Sequence, residues 1–500
     1  MPPSAFGFDF PVAASLARSA IRLACAYLLL AGAATASADD RPNFLVILAD
    51  DATWSDFGFT GSPDAKTPHL DRLATQSLRF TRMYSPASCC SPTRHALYTG
   101  LGPIRSGAYP NHTRVEQGTR SLFTHLKEVG YRVALQGKEH VAPRASFPYE
   151  RLGNVPDGAP AKTRAFLSSA KEQDEPWLLV YASHEPHVPW NRGDASRWNA
   201  DDVTVPPTML DTPETRESLV QYHAEISALD GEVGDLLKAL DETGAAENTV
   251  VIFLSEQGGQ MPGAGKWTCW ETGVRAAALV RWPGRVAAGA TTDALASYID
   301  VTPTLLEIAG LDPAAVDPGC PDAEGNVPMD GRSLLPVLTG DATEHREFVF
   351  AEHTNVGING ATAPFPIRSA VGRRFKYIRN LAPGNEFSIG GTQKSAAFQS
   401  WKALASDGDQ RAKALVQRIE RRPAEEFYDL DSDPYELVNL AQFVSPAHRQ
   451  DAERMELSAA LDAWMAQQGD EGMETERNAR AHQNRGGGKR PKAKSVPGRN

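Results

Sequence analysis

Cysteine is scarce in this chain of 500 residues, five in all. That is too few for the dense disulfide framework of a small secreted module. Basic charge is also in deficit: 51 Lys and Arg face 62 Asp and Glu, a formal net charge of −11, which argues against a nucleic-acid partner. No repeat of fixed period runs through the sequence, which excludes a solenoid or propeller array. Apart from one N-terminal segment no stretch is long and apolar enough to suggest a bilayer span, so no stable membrane anchor is expected. What is present is an ordinary globular composition, 41% hydrophobic and 23% charged with 41 Gly and 36 Pro. The length suits one large domain and a smaller one.

The two ends differ from the middle. Arg18 and Arg22 precede an apolar stretch from Leu23 to Ala34, and Ala36-Ser37-Ala38 supplies the small residues of a cleavage site. Residues 1–38 therefore read as a signal peptide, and the protein as exported, periplasmic or secreted. Residues 473–500 read as a basic disordered tail: from Arg477 onward there are eight basic side chains, no acid and the run Gly486-Gly487-Gly488, with nothing to bury.

Between the ends, short apolar runs alternate with helical patterns. Asn43–Ala49, Tyr131–Leu135, Trp177–Ala182 and Val250–Leu254 have the continuous apolar character of strands buried on both faces. Ile226, Leu229, Val233, Leu236, Leu237 and Leu240 recur at offsets of three and four, an amphipathic helix stopped by Gly244. The alternation predicts an α/β fold, a mainly parallel sheet sandwiched by helices. From about residue 345 the pattern changes to short strands near 347–351, 375–379 and 426–430 and a final helix near 452–465. The expected organisation is a catalytic α/β domain over 39–344 and a C-terminal α+β subdomain over 345–472.

Ligand sites in such sheets lie just beyond the carboxyl ends of the strands. Here those positions are loaded: Asp50-Asp51 after the first strand, Lys138 and His140 after the second, His184 and His187 after the third, Glu256-Gln257 after the fourth. Adjacent carboxylates call for a cation, and oxygen donors select hard ions such as Ca²⁺ or Mg²⁺. Lys138, His140, His184, His187 and Lys266 would surround that site with positive charge or proton donors, as an anionic substrate requires. Cys90 stands at the start of a helix carrying Pro92 in its first turn, where a thiolate is stabilised. From the residues alone it is a nucleophile, a small buried hydrophobe or half of a disulfide with Cys269 or Cys320.

The run Cys90-Ser91-Pro92-Thr93-Arg94, followed by Leu97, Thr99 and Gly100, resembles the signature of the type I, formylglycine-dependent sulfatases of the alkaline-phosphatase-like superfamily. The similarity continues in order. It takes in Asp50-Asp51 with Asp56 and Gly58, Gly137-Lys138-Glu139-His140, His184–Pro189, Ser255–Gly258 with Lys266 and Glu271–Arg275, and Tyr428–Leu430 with Asp433–Glu436. The resemblance implies a sulfuric ester hydrolase, or a sulfamidase of the same chemistry. Cys90 would be matured to formylglycine by a formylglycine-generating enzyme. One Ca²⁺ per chain (Mg²⁺ is the weaker choice) would be held by Asp50, Asp51, Glu256, Gln257 and matured Cys90. A hydroxyl of the hydrated aldehyde would attack sulfur, and the second hydroxyl would then expel sulfate. Arg94 and Lys138 would stabilise that side chain, Lys266 and His187 would bind sulfate with one of the two protonating the leaving alcohol, and His140 would take up the last proton. The family usually has Asp followed by Asn or His where this chain has Glu256-Gln257, which relative to Asp-Asn is one methylene longer at each position.

The implied substrate is a sulfated small molecule or saccharide. A phosphate or phosphonate ester hydrolase of the same fold is the alternative reading, as is a non-catalytic sulfated-glycan receptor if Cys90 stays a thiol. His353 belongs either to the leaving-group pocket or to a surface loop, and Asn111-His112-Thr113 is a glycosylation sequon. With both ends set aside, residues 39–476 carry −20, so anion binding is expected to rest on a small positive pocket in a negative surface.

Overall fold

The computed structural model describes Met1 and residues 41–155, 159–443 and 449–483. The expected signal peptide and the last part of the expected tail lie outside the described residues. Nine strands form the main sheet: β1 (Asn43–Leu48), β2 (Leu78–Tyr84), β3 (Arg132–Gly137), β4 (Glu150–Gly153), β5 (Trp177–Ala182), β6 (Thr249–Leu254), β7 (Arg275–Arg281), β8 (Thr291–Thr292) and β9 (Ala296–Ser297). Their order is β4-β3-β5-β1-β6-β7-β2-β8, with β9 also paired to β2. From β4 to β6 every pairing is parallel. β7 runs antiparallel to both β6 and β2. The sheet is therefore mainly parallel, as the alternation of strands and helices predicts.

The apolar runs are continuous because each strand serves two cores. In β1, Leu45 and Ile47 enter one cluster, while Phe44, Val46 and Leu48 enter the other. The first is sealed by Ile226, Leu229, Val233 and Leu236 of the helix Pro213–Thr243. The second is sealed by Leu122 and Leu126 of the helix Leu122–Glu128 and by Leu305 and Leu306 of the helix Val301–Ile308. Each fully buried side chain of this kind contributes about 1.5–3 kcal/mol. The Pro213–Thr243 helix starts on Thr212, whose side chain accepts from the Thr215 amide, and ends on Gly244 at φ 71°, a conformation glycine adopts without the Cβ penalty.

A second sheet of four antiparallel strands, β10 (Val349–His353), β11 (Ile367–Val371), β12 (Phe375–Asn380) and β13 (Glu425–Asp429), lies in sequential order. Leu457, Leu461 and Trp464 of the helix Arg449–Gln468 pack with Tyr377 and Phe427 of this sheet. The described residues from Pro42 onward form one compact unit containing both sheets.

Residues 473–482, expected to open the disordered tail, are instead a helix, Met473–His482. Ala479 is fully buried in the C-terminal core, and Tyr109 Oη donates to the Thr475 carbonyl at 2.8 Å. Glu474 and Glu476 occupy its first turn and Arg480 and His482 its last, an order that suits the helix dipole. Among the described residues no helix is long and apolar enough to cross a membrane.

Candidate active site

The neighbouring strands β3, β5, β1 and β6 end at one edge of the main sheet, and the predicted residues follow them there. The Asp50 amide donates to the Glu185 carbonyl at 2.9 Å, tying the end of β1 to the loop after β5. Asp51, His140 and Glu256 all have left-handed backbones, with φ of 71°, 51° and 41°. Such conformations cost about 1–3 kcal/mol each in non-glycine residues and persist only where the surroundings over-determine them. One of them turns the His140 ring toward Cys90, while the other two bring the carboxylates of Asp51 and Glu256 to one point.

That point is a carboxylate cluster. One oxygen each from Asp50, Asp51 and Glu256 lies within 4.8 Å of the others, and all three residues are buried. Gln257 Nε2 donates to Asp51 Oδ1 at 2.7 Å. Its own carbonyl oxygen, with Asp50 Oδ1 and both Glu256 oxygens, is buried without a hydrogen-bond partner. Buried oxygens are rarely left so. Four residues offering unsatisfied or converging oxygens fit a hard divalent cation, and the longer Glu256-Gln257 pair still reaches the cluster.

Cations surround these oxygens. Arg94 Nε lies 2.6 Å from Glu256 Oε1 without hydrogen-bonding alignment, and its Nη1 donates to the Lys138 carbonyl at 2.9 Å. The Lys138 ammonium pairs with Asp50 and the Lys266 ammonium with Asp51. His187 Nε2 stands 3.7 Å from Asp51 Oδ2. Burial opposes ionisation of Asp50, but Lys138, His187 and Arg94 together hold its carboxyl well below the usual range. At Glu256 burial outweighs Arg94, and its carboxyl is pushed well above the usual range.

Cys90 opens the helix Cys90–Thr99, as its motif predicts, and the whole first turn is buried. Its Sγ lies 3.2 Å from His140 Nδ1. A hydrogen bond from Cys89 holds the Cys90 thiol well below its usual range, aided by Lys138 and His140 against the opposing effect of burial. Cys89, Cys90, Cys269 and Cys320 are all free thiols, so the disulfide alternative for Cys90 falls away.

Cys90, Lys138, His140, His187 and Lys266 line one open cleft of about 830 Å³. Its far wall comes from the C-terminal part of the chain, at Gly357–Gly360 and Gly391. Among the described residues no carboxylate lines it. Arg94, Asp50, Asp51, Glu256 and Gln257 form the layer beneath.

Some residues fall elsewhere than expected. His353 is neither on a surface loop nor in the cleft wall: it ends β10, 1% exposed, with Nδ1 3.4 Å from Ser88 Oγ. His184 accepts the His187 amide on its carbonyl at 2.9 Å and does not line the cleft. Asp56 braces the loop after β1, accepting from the Thr53 amide at 2.7 Å and from Tyr222 Oη at 2.6 Å. Glu271 accepts from Lys376 at 3.0 Å, and its amide donates to Glu436. The Glu271–Arg275 and Asp433–Glu436 motifs thus join the two sheets.

Sequence reasoning missed His112, whose Nδ1 lies 2.9 Å from His140 Nε2. It also missed Gln260, Trp267 and Asn359, which line the cleft. The Asn111-His112-Thr113 run was legible only as a sequon. Asn111 itself lines the cleft, so a glycan there would stand in the substrate's way.

A mainly parallel sheet with a carboxylate cluster, a thiol at a helix start and a ring of cations at its strand ends defines a hydrolase of anionic esters. A sequence model of the family described as Sulfatase matches residues 42–311, and the chain belongs to that family, the sulfuric ester hydrolases. An ulvan-active sulfatase of Formosa agariphila is 30% identical over 451 residues, covering 86% of this chain and 81% of that protein. Human N-sulphoglucosamine sulphohydrolase is 30% identical over 459 residues, covering 83% and 88%. Among solved structures, a protein in complex with its substrate D-glucosamine-2-N,6-O-disulfate shares the fold with a TM-score of 0.62 at 19% identity, over 86% of this chain and 99% of that one. The phosphonate monoester hydrolase of Agrobacterium radiobacter shares it equally, with a TM-score of 0.62 at 19% identity, over 86% and 96%.

Proposed function

We propose that this chain hydrolyses sulfate esters, or sulfamates, on a carbohydrate, with Cys90 converted to formylglycine and one Ca²⁺ as cofactor. The observation that carries this reading is the position of Cys90: its Sγ is beside His140, at the floor of a cleft lined by cations and no carboxylate, above three clustered carboxylates. A saccharide is favoured because the relatives named above include a sulfatase active on ulvan and a sulphohydrolase of N-sulphoglucosamine.

Asp50, Asp51, Glu256 and Gln257 would hold the cation, which would lower the pKa of a hydroxyl at residue 90 and screen sulfate charge. Formylglycine supplies, as its hydrate, one hydroxyl to attack and a second whose deprotonation releases the product. The chain's own residues do the rest. Lys138 and Lys266 line the cleft with ammonium groups anchored by Asp50 and Asp51, so they meet sulfate oxygens without reorganising. His187, fixed by contact of its Nδ1 with the Val188 carbonyl at 2.7 Å, presents Nε2 to the leaving alcohol. His140 accepts a proton from the group at residue 90 at Nδ1. His112 hydrogen-bonds the opposite nitrogen, giving that proton a route to the cleft rim.

Export by the segment 1–38, maturation by a formylglycine-generating enzyme and the catalytic and C-terminal divisions at 39–344 and 345–472 belong to the same proposal. Peptide mass at residue 90 and paired turnover of 4-nitrophenyl sulfate and 4-nitrophenyl phosphate test it. An aldehyde mass with preference for sulfate is expected. An unmodified thiol in protein from the native host, or a large phosphate preference, overturns it.

A further inference from the structure

The catalytic cleft has two unlike sides. On one, the Lys138 and Lys266 ammoniums pair with Asp50 and Asp51 in company with His140 and His187, so positive charge is concentrated around residue 90. The far wall, Gly357–Gly360 with Gly391, and the adjoining Gln260 are neutral: among the described residues no Lys, Arg or carboxylate stands there.

Two side-chain amides on this neutral side, Gln260 and Asn359, are set by one helical turn, Gly390–Gln393. The Gly390 amide donates to the Asn359 carbonyl at 3.2 Å, and Thr392 Oγ1 donates to the Gln260 carbonyl at 3.4 Å. Those bonds engage the backbone only. Gln260 is half-buried and Asn359 exposed, and their side-chain amides have no partner among the described residues and stay accessible in the cleft. Asn111 differs, because its amide is spent within the protein: Nδ2 donates to the Gly357 carbonyl at 3.3 Å and Oδ1 accepts from the His112 amide at 3.0 Å. Gly391 gives the Gln260 amide its room, since a Cβ there would meet Nε2 at 2.4 Å.

A free amide offers two donors and one acceptor oxygen. A sugar hydroxyl, itself both donor and acceptor, satisfies either end. A sulfate or carboxylate satisfies the N–H end alone and meets the amide oxygen as a second acceptor. Resting on the reaction proposed above, we propose that Gln260 and Asn359 select the leaving group. It is a neutral sugar whose hydroxyls these amides bind and whose transferred sulfate is its only charge. A second anionic group on that sugar would lie against this neutral side and find no counter-charge.

The test compares kcat/KM of the full-length protein on three kinds of substrate. The first is 4-nitrophenyl sulfate, which has no hydroxyl. The second is the set of singly charged sugars, namely the monosulfates of glucose and galactose with N-sulfoglucosamine. The third is their doubly charged counterparts, D-glucosamine-2-N,6-O-disulfate and glucuronic acid 3-sulfate. A singly charged sugar should be the best substrate. Gln260→Ala and Asn359→Ala should each lower the ratio of its kcat/KM to that of 4-nitrophenyl sulfate about fivefold, the worth of one ordinary hydrogen bond. Gly391→Ala, which pushes the Gln260 amide aside, should lower the same ratio. Asn359→Arg should shift preference toward the disulfate about tenfold, as a charge-assisted hydrogen bond does. A wild-type preference for a doubly charged sugar, or an unchanged ratio in either alanine variant, would overturn the assignment while 4-nitrophenyl sulfate turnover leaves the reaction standing. No turnover of any sulfate would overturn the reaction and the assignment with it.

Discussion

Arg94 and Glu256 form a wholly buried pair, with the guanidinium Nε 2.6 Å from the carboxylate Oε1. Breaking a buried pair from one side ordinarily costs about 3–5 kcal/mol. Here burial already pushes Glu256 well above the usual carboxylate range, so the abandoned group can take up a proton. Arg94→Met should therefore lose about 3 kcal/mol near neutral pH, at the low end, and more as pH rises. Urea denaturation in chelator at two pH values measures this; a pH-independent loss would contradict it.

Cys90→Ala removes one sulfur from a turn whose other contacts remain. Its melting temperature should stay close to that of the wild type, while turnover of 4-nitrophenyl sulfate falls by more than about 10⁴-fold, the scale seen when a covalent nucleophile is removed. Residual turnover within tenfold of the wild type would assign the chemistry to another group.

Exhaustive chelation should abolish turnover and lower the melting temperature, and Ca²⁺ should restore both. An ion present at a hundred times its Kd stabilises by about 2.7 kcal/mol through mass action alone. Undiminished activity in metal-free protein would dissociate the carboxylate cluster from the reaction.

Glu352 supplies a pH dependence of stability. It is 1% exposed, and neither carboxylate oxygen has a hydrogen-bond partner. Arg368 stands 3.8 Å away and is already engaged by Asp470 at 2.5 Å. Burial outweighs Arg368 and pushes Glu352 up to about 8 from 4.5. The folded state thus holds a proton that the unfolded state releases, and this contribution, complete below pH 4.5, is lost as pH rises toward 8. Its slope approaches about 1.4 kcal/mol per pH unit. Glu352→Gln should flatten that part of the stability profile, as followed by denaturation between pH 5 and 8.

The strands that aim the site were legible because burial on both faces writes a continuous apolar run into β1, β5 and β6. Their terminal residues were legible because carboxylates and histidines beside such runs have no structural reason to be there. His112 was not, since its meeting with His140 depends on the path of a loop rather than on local pattern. β11 hides in Ile367–Val371, where Arg368 and Ser369 break the alternation although every residue is buried. The helix Met473–His482 hides in a run whose only large apolar residue is Met473. Its burial becomes intelligible only beside Tyr109, Thr354 and the C-terminal core.

The cleft without carboxylates sits in a body that extends through the helix Met473–His482, and residues 39–483 carry −18. For an approaching polyanion the far field is repulsive and only the near field attractive. The Debye length shrinks from about 30 Å at 0.01 M salt to about 8 Å at 0.15 M, which hides the body before it hides the cleft. Added salt should therefore hasten the encounter with a highly sulfated chain before slowing it, the reverse of ordinary electrostatic steering, and leave a singly sulfated fragment almost indifferent. Ionic strength thereby becomes a filter on substrate length, set by surfaces that never touch the reacting bond.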